Sequence, residues 1–217
     1  MSLTFGEMIQ RTLRVLGDPA QSLFDDELIY DGALASHQAI LPWIPKYASH
    51  TYTTGSGGSV EYTLPSDCYQ IQSVQLSDGN FIQKATLAPN TARNISTQGD
   101  YQDWIEYPFG KISLSQALSE NTELSLYYFA FWDAPSSDAD QDFVLTVPPM
   151  AHMAMIYYTG AHCLMPKAVD AAQIRQFNQR MDSGNPEHNP LKVEAKYLLE
   201  RFYAEMQLMP PFVRVSS

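Results

Sequence analysis

The stretch Val147–Pro166, VPPMAHMAMIYYTGAHCLMP, constrains this chain more than any other. Pro148 and Pro149 suit a helix start, because proline fixes φ near the helical value and the first N–H groups have no intrahelical acceptor. Beyond them Met150, Met153, Ala154, Tyr157, Ala161 and Leu164 recur at helical spacing, and Met155, Ile156, Tyr158 and Cys163 fill much of the remaining circumference. A helix apolar almost all round is buried on several sides, so the pattern predicts a central packing helix. It is too short, and too interrupted by His152, Gly160 and His162, to span a bilayer. Replacing Tyr157 by aspartate is then expected to unfold the protein by burying an unpaired charge.

The elements before and after this helix differ in period. Thr4 and Glu7 form a capping box ahead of a helix over residues 4–16, stopped by Gly17 and Asp18-Pro19. A second helix is expected from Asp25–Asp26, whose carboxylates suit the positive end of the helix dipole, to the breaker Pro42-Trp-Ile-Pro45. From about His50 short β-type runs follow, among them Thr51–Thr54, Val60–Leu64, Cys68–Leu76, Phe81–Leu87, Ile112–Leu114 and Phe143–Val147. Asp78-Gly79 is a hairpin signal. Leu124–Trp132 is apolar on both faces, the mark of a central strand. The buried helix leads through Pro166 to a helix over roughly 168–182, and Asn189-Pro190 opens the last one.

The expected fold is therefore α+β: an α-helical bundle of N- and C-terminal helices with an inserted antiparallel β-sandwich or partial barrel. The boundaries read as 1–50 for the first helices, 51–148 for the inserted β domain, 149–208 for the completing helices and 209–217 for an extended C-terminal arm. In that arm Pro210 and Pro211 forbid a helix, while Phe212, Val213, Arg214 and Val215 suit docking on a partner by strand addition or in a groove.

The 217 residues carry a net charge of −11, and it is uneven: −3 over 1–50, −9 over 51–148 and +1 over 149–217. Such a chain repels phosphate backbones, and its basic residues do not cluster with aromatics, so nucleic-acid reading is disfavoured. No secretory leader or membrane span is legible, which predicts an intracellular or assembled soluble protein. Cys68 and Cys163 lie far apart in apolar runs and read as buried free thiols.

Catalytic and metal patterns fail on spacing. Asp138-x-Asp140-x-Asp142 opens like a calcium loop, but Phe143 stands where glycine is needed and Pro149 where the bidentate glutamate is needed. A looser cation site on the acidic loop 133–142 stays open. Gly55–Ser59 lacks the Gly-Lys-Ser/Thr of a phosphate loop. His152 and His162 point roughly 80° apart on a helical wheel, and His162-Cys163 adjacency does not set a base against a thiol. The expectation is a noncatalytic protein with no cofactor and no metal.

Four stretches carry a family resemblance: Phe24-Asp-Asp-Glu-Leu-Ile-Tyr30 through Ala39-Ile-Leu-Pro-Trp-Ile-Pro45; Tyr62-Thr-Leu-Pro-Ser-Asp67 with Cys68–Val74; Gly110-Lys-Ile-Ser-Leu114 with Leu124–Trp132; and Val147–Leu164. With this order of elements the chain resembles the head-to-tail adaptor (connector) proteins of tailed bacteriophages, including tail tubular gatekeeper proteins. The resemblance implies a structural virion protein at the neck. Twelve copies would form a ring under the portal protein, extend the DNA channel without sequence-specific binding, and give a downstream tail or nozzle protein its platform. Pro210–Val215 would be the arm that reaches the portal or a neighbouring subunit. The competing expectation is a noncatalytic β-sandwich module that binds carbohydrate or another virion protein through Tyr101, Trp104, Tyr107 and Phe109.

Overall fold

The computed structural model describes residues 2–54, 60–85, 103–107, 110–115, 117–179 and 190–209. The chain divides into two compact units, one of residues 1–44 and 132–217, the other of residues 45–131.

In the first unit α1 (Phe5–Val15) begins with both halves of the capping box: Glu7 N–H donates to Thr4 Oγ1 at 3.2 Å and Thr4 N–H to Glu7 Oε2 at 3.4 Å. Gly17, at φ +71°, lets the chain turn away in the left-handed region that side chains avoid. The Asp18 carboxylate then accepts from the Ser22 and Leu23 amides, which hold its carboxyl below the usual range. The acidic run opens α2 (Asp26–Ile40), with Asp25 capping the Leu28 amide at 2.8 Å.

Val147–Pro166 lies at the centre of this unit. After a 3₁₀ turn at Pro149–Ala151, α3 runs from His152 to Gln179. Ala154, Met155, Ile156, Ala161, Cys163 and Leu164 are all buried there. The helix packs on α1, α2 and α4 (Pro190–Gln207). The α2–α3 crossing is close, because Gly32 faces Thr159: a Cβ at Gly32 would stand 3.2 Å from the Thr159 carbonyl oxygen. On the α4 side, Phe202 meets Tyr158 with ring centroids 5.1 Å apart, and Leu198 lies over Gly160.

Three features of this unit differ from expectation. Pro166 lies inside one continuous helix; its missing N–H removes a single ladder bond, which the packing of α3 offsets. Met150 and Met153 are exposed and Tyr157 is half-buried beneath Arg201, whose guanidinium lies 5.6 Å from the ring centroid. Tyr157→Asp is thus a poor test of burial. Phe143–Val147 forms only a bridge, Val144 to Thr4, which ties the returning chain to the N-terminus through Phe5 N–H to Phe143 O at 2.8 Å.

The second unit is a seven-stranded sheet: β1 (Lys46–Thr53), β2 (Glu61–Thr63), β3 (Cys68–Leu76), β4 (Phe81–Lys84), β5 (Asp103–Tyr107), β6 (Lys111–Leu114) and β7 (Glu123–Ala130), in the order β1-β7-β3-β4-β5-β6-β2. Most pairs are antiparallel, but β4 and β5 pair parallel, Gln83 opposite Asp103 and Lys84 opposite Trp104. The sheet is thus mixed, which corrects the purely antiparallel expectation. The connection from 85 to 103 is long enough for the crossover that a parallel pair needs. The two edge strands approach each other across the core: the Tyr52 ring of β1 meets that of Tyr62 on β2 at a 56° tilt, centroids 5.2 Å apart, and Tyr52 donates its hydroxyl to Thr63 O at 2.7 Å. The sheet thereby curls around one core, with Val74, Ile112, Leu124 and Leu126 buried inside.

Candidate interaction surfaces

The Cys163 thiol is buried and that of Cys68 half-buried, and two of the imidazoles are anchored by one ring nitrogen each, while His37 Nε2 and His162 Nδ1 are buried without a hydrogen-bond partner among the described residues. Burial pushes the Cys163 thiol up to about 12, with the Asp25 charge adding to the effect. Cys68 is pushed to about 11 by burial, with Glu106 and Asp67 beside it. Both stay protonated at neutral pH, and a thiol that cannot ionise is a poor nucleophile. His152 uses Nε2 on the Val147 carbonyl at 3.0 Å, and His37 uses Nδ1 on the Ala33 carbonyl at 2.9 Å. In both, burial lowers the pKa and keeps the ring neutral. On the acidic loop, Asp140 accepts from the Ser136 amide and hydroxyl and so closes a local turn. Among the described residues no group of three or more His, Cys, Asp or Glu side chains could hold a metal ion. Nor is any described helix long and apolar enough to cross a membrane.

What the first unit offers instead is surface. An open cleft of about 460 Å³ runs along α1, lined by Arg11 and Arg14 together with Gln141 and Asp142 of the returning segment. Glu7 and Asp142 line the same cleft, so its two guanidiniums are matched by two carboxylates of this chain. On α4 the exposed Val193, Tyr197 and Tyr203 alternate with charges such as the Lys196–Glu200 pair, 3.8 Å apart. That is the pattern of a solvated face. The helix ends at Gln207, and Leu208 is 80% exposed. Pro210, Pro211, Phe212, Val213, Arg214 and Val215, the expected arm, lie outside the described residues.

Of the aromatic platform in the competing expectation, Trp104 is turned into the core and not to the surface. Trp104 is only 3% exposed, and its indole N–H donates to the Ile82 carbonyl at 3.2 Å inside the β core. Tyr101 and Phe109 lie outside the described residues, as does the side chain of Tyr107. Alternation alone could not tell that Trp104 faces inward, because its strand pairs parallel with a distant neighbour.

A helical unit packed on one apolar helix and a curled sheet inserted in its sequence are the architecture on which the family comparison bears. The chain belongs to the SU10 adaptor protein family, whose model matches residues 3–193. It is thus a bacteriophage adaptor, in agreement with the resemblance carried by the four stretches. No curated protein matches it. The matched range ends within α4, so the arm lies beyond it.

Proposed function

We propose that this chain is a head-to-tail adaptor that forms a ring below the portal of a tailed phage. The ring extends the DNA channel and gives the tail or nozzle protein its attachment platform. The observation that carries the reading is the family match across residues 3–193. The charge supports it: a subunit of net charge −11 lines a channel that DNA can slide through without sticking. The ring is dodecameric by the resemblance, works without cofactor, metal or catalysis, and belongs to the neck of a virion assembled in the host cytoplasm.

The arm from 209 to 217, with Pro210–Val215 as its contact residues, reaches the portal or a neighbouring subunit in this reading. Its motive is an apolar, helix-breaking tail continuing from an exposed Leu208. Deleting residues 209–217 is expected to abolish co-sedimentation with purified portal while leaving the far-ultraviolet spectrum unchanged; undiminished association would remove the arm from the mechanism. The reading as a whole is tested by an amber mutation in the gene. It should leave DNA-filled heads without tails under a non-suppressing host, whereas normal tailed particles would refute the adaptor role.

A further inference from the structure

The exposed faces of the helices in the first unit carry charge, except on α3. On α1 they present Glu7, Arg11 and Arg14, and on α4 Lys192, Glu194, Lys196 and Glu200. From Met150 to Leu164, in contrast, there is no Asp, Glu, Lys or Arg. The first turns of that stretch are nonetheless exposed: Met150 at 55% and Met153 at 38%, with Tyr157 half-buried on the same stripe beneath Arg201. Pro149 is exposed at its start. Single apolar side chains on a surface are ordinary, but several along one stripe of an uncharged helix mark a contact surface.

The course of α4 decides which part of the chain lies nearest to that stripe. It runs antiparallel to α3, with Leu198 over Gly160, Arg201 over Tyr157 and Phe202 against Tyr158. Each residue gained along α4 is therefore one lost along α3, which brings Leu208 level with Met150. Met209 still packs on the core, and Pro210-Pro211 then stop the helix from continuing. The arm thus starts beside the exposed methionines. Extended, Pro210–Val215 reaches about 20 Å, while Met150 to Tyr157 spans only about 10 Å of helix.

We propose that the stripe of Pro149, Met150, Met153 and Tyr157 is the docking surface for this chain's own segment Pro210–Val215. Phe212, Val213 and Val215 supply the apolar side chains, and unbranched thioethers adapt to a ring and attract its edge. Pro210 and Pro211 restrict the free segment, so less freedom is lost on docking. The one charge of the segment is Arg214, of the sign that a chain of net charge −11 attracts. Tethering raises its concentration at its own face above that of any second copy. The proposal stands apart from the adaptor reading and adds a step to it. A portal or neighbouring subunit has to compete with α3 for the arm, which stays covered on the free chain until then.

The test reads the methionine methyl resonances of the full chain, isotope-labelled at that group, with and without Phe212→Ala. Loss of the ring should move the signals of Met150 and Met153 and leave those of the buried Met8, Met155 and Met206 in place. In Met150→Gln/Met153→Gln, at two exposed positions, the arm should be released. Trypsin should then cut after Arg214 roughly tenfold faster at an unchanged circular dichroism spectrum, because cleavage tracks the population of the open arm. Methionine signals that ignore Phe212→Ala, or equal cleavage in both chains, overturn the proposal. A response that grows with protein concentration, with mass rising in sedimentation, gives the arm to a second copy and overturns it too. Unmoved signals together with portal binding that is lost on deleting residues 209–217 sink this face and leave the adaptor reading intact. Signals that move while the portal stays bare do the reverse.

Discussion

The two units bury different chemistry. The helical unit encloses imidazoles, His37 and His152, within helices that approach closely at Gly32 and Gly160. The β unit encloses phenols: Tyr52 and Tyr128 are both pushed up to about 12, first by burial, then for Tyr128 by its hydrogen bond to Asp67 and for Tyr52 by the neighbouring Cys68. Helices that share a backbone-close crossing cannot take volume, whereas a curled sheet holds its edges with long side chains that reach across. The units should therefore fail under different insults, the first to inserted bulk, charge and acid, the second to alkali and loss of hydroxyls.

The largest effect is expected from Met155→Asp, fully buried on α3, which should cost about 4 kcal/mol or more and remove most helical signal on purification at neutral pH. Tyr157→Asp, half-exposed beneath Arg201, should cost only about 1 kcal/mol; equal damage from both would mean that α3 is buried all round. Gly32→Val should cost about 2–3 kcal/mol in a thermal melt, although glycine is a poor residue within a helix, because the new atoms meet the Thr159 carbonyl and Cγ2. Tyr128→Phe, which removes the 3.1 Å bond to Asp67, should cost about 1 kcal/mol and leave the helical unit untouched.

The pH limbs sharpen the contrast. His37 and His152 have folded pKa values below 6.5, so the unfolded chain takes up protons first as the pH falls. Stability of the helical unit is full above pH 6.5 and declines as the pH drops toward the folded values. Tyr52 and Tyr128 titrate near 12 when folded and near 10 when unfolded, so the β unit is stable below pH 10 and loses stability between 10 and 12. His37 also leaves Nε2 without a hydrogen-bond partner, so His37→Leu should flatten the acid limb in chemical denaturation curves at little cost.

Local chemistry was legible because it is written in neighbouring residues. Thr4 with Glu7, Asp25 before Leu28, Pro190 at the start of α4 and Gly79 at its turn all act within a few residues of themselves. The β4–β5 parallel pair was not, since alternation gives the two faces of a strand but not its neighbour. β1 begins at Lys46, earlier than the run at Thr51, because its outward Tyr47 and Ser49 mask the period. The double-sided apolar pattern of β7 was read correctly as a central strand, between β1 and β3. The arm at Pro210–Val215 is legible as helix-breaking and apolar, but a pattern within one chain does not say which surface receives it.

The adaptor reading meets its most direct test in negative-stain images of the purified chain mixed with the purified portal of the same phage. The account requires an added ring layer with a central opening on one face of the portal, at a stoichiometry that repeats from particle to particle. Portals that remain bare, with the chain free in solution at concentrations well above those of assembly, would contradict it.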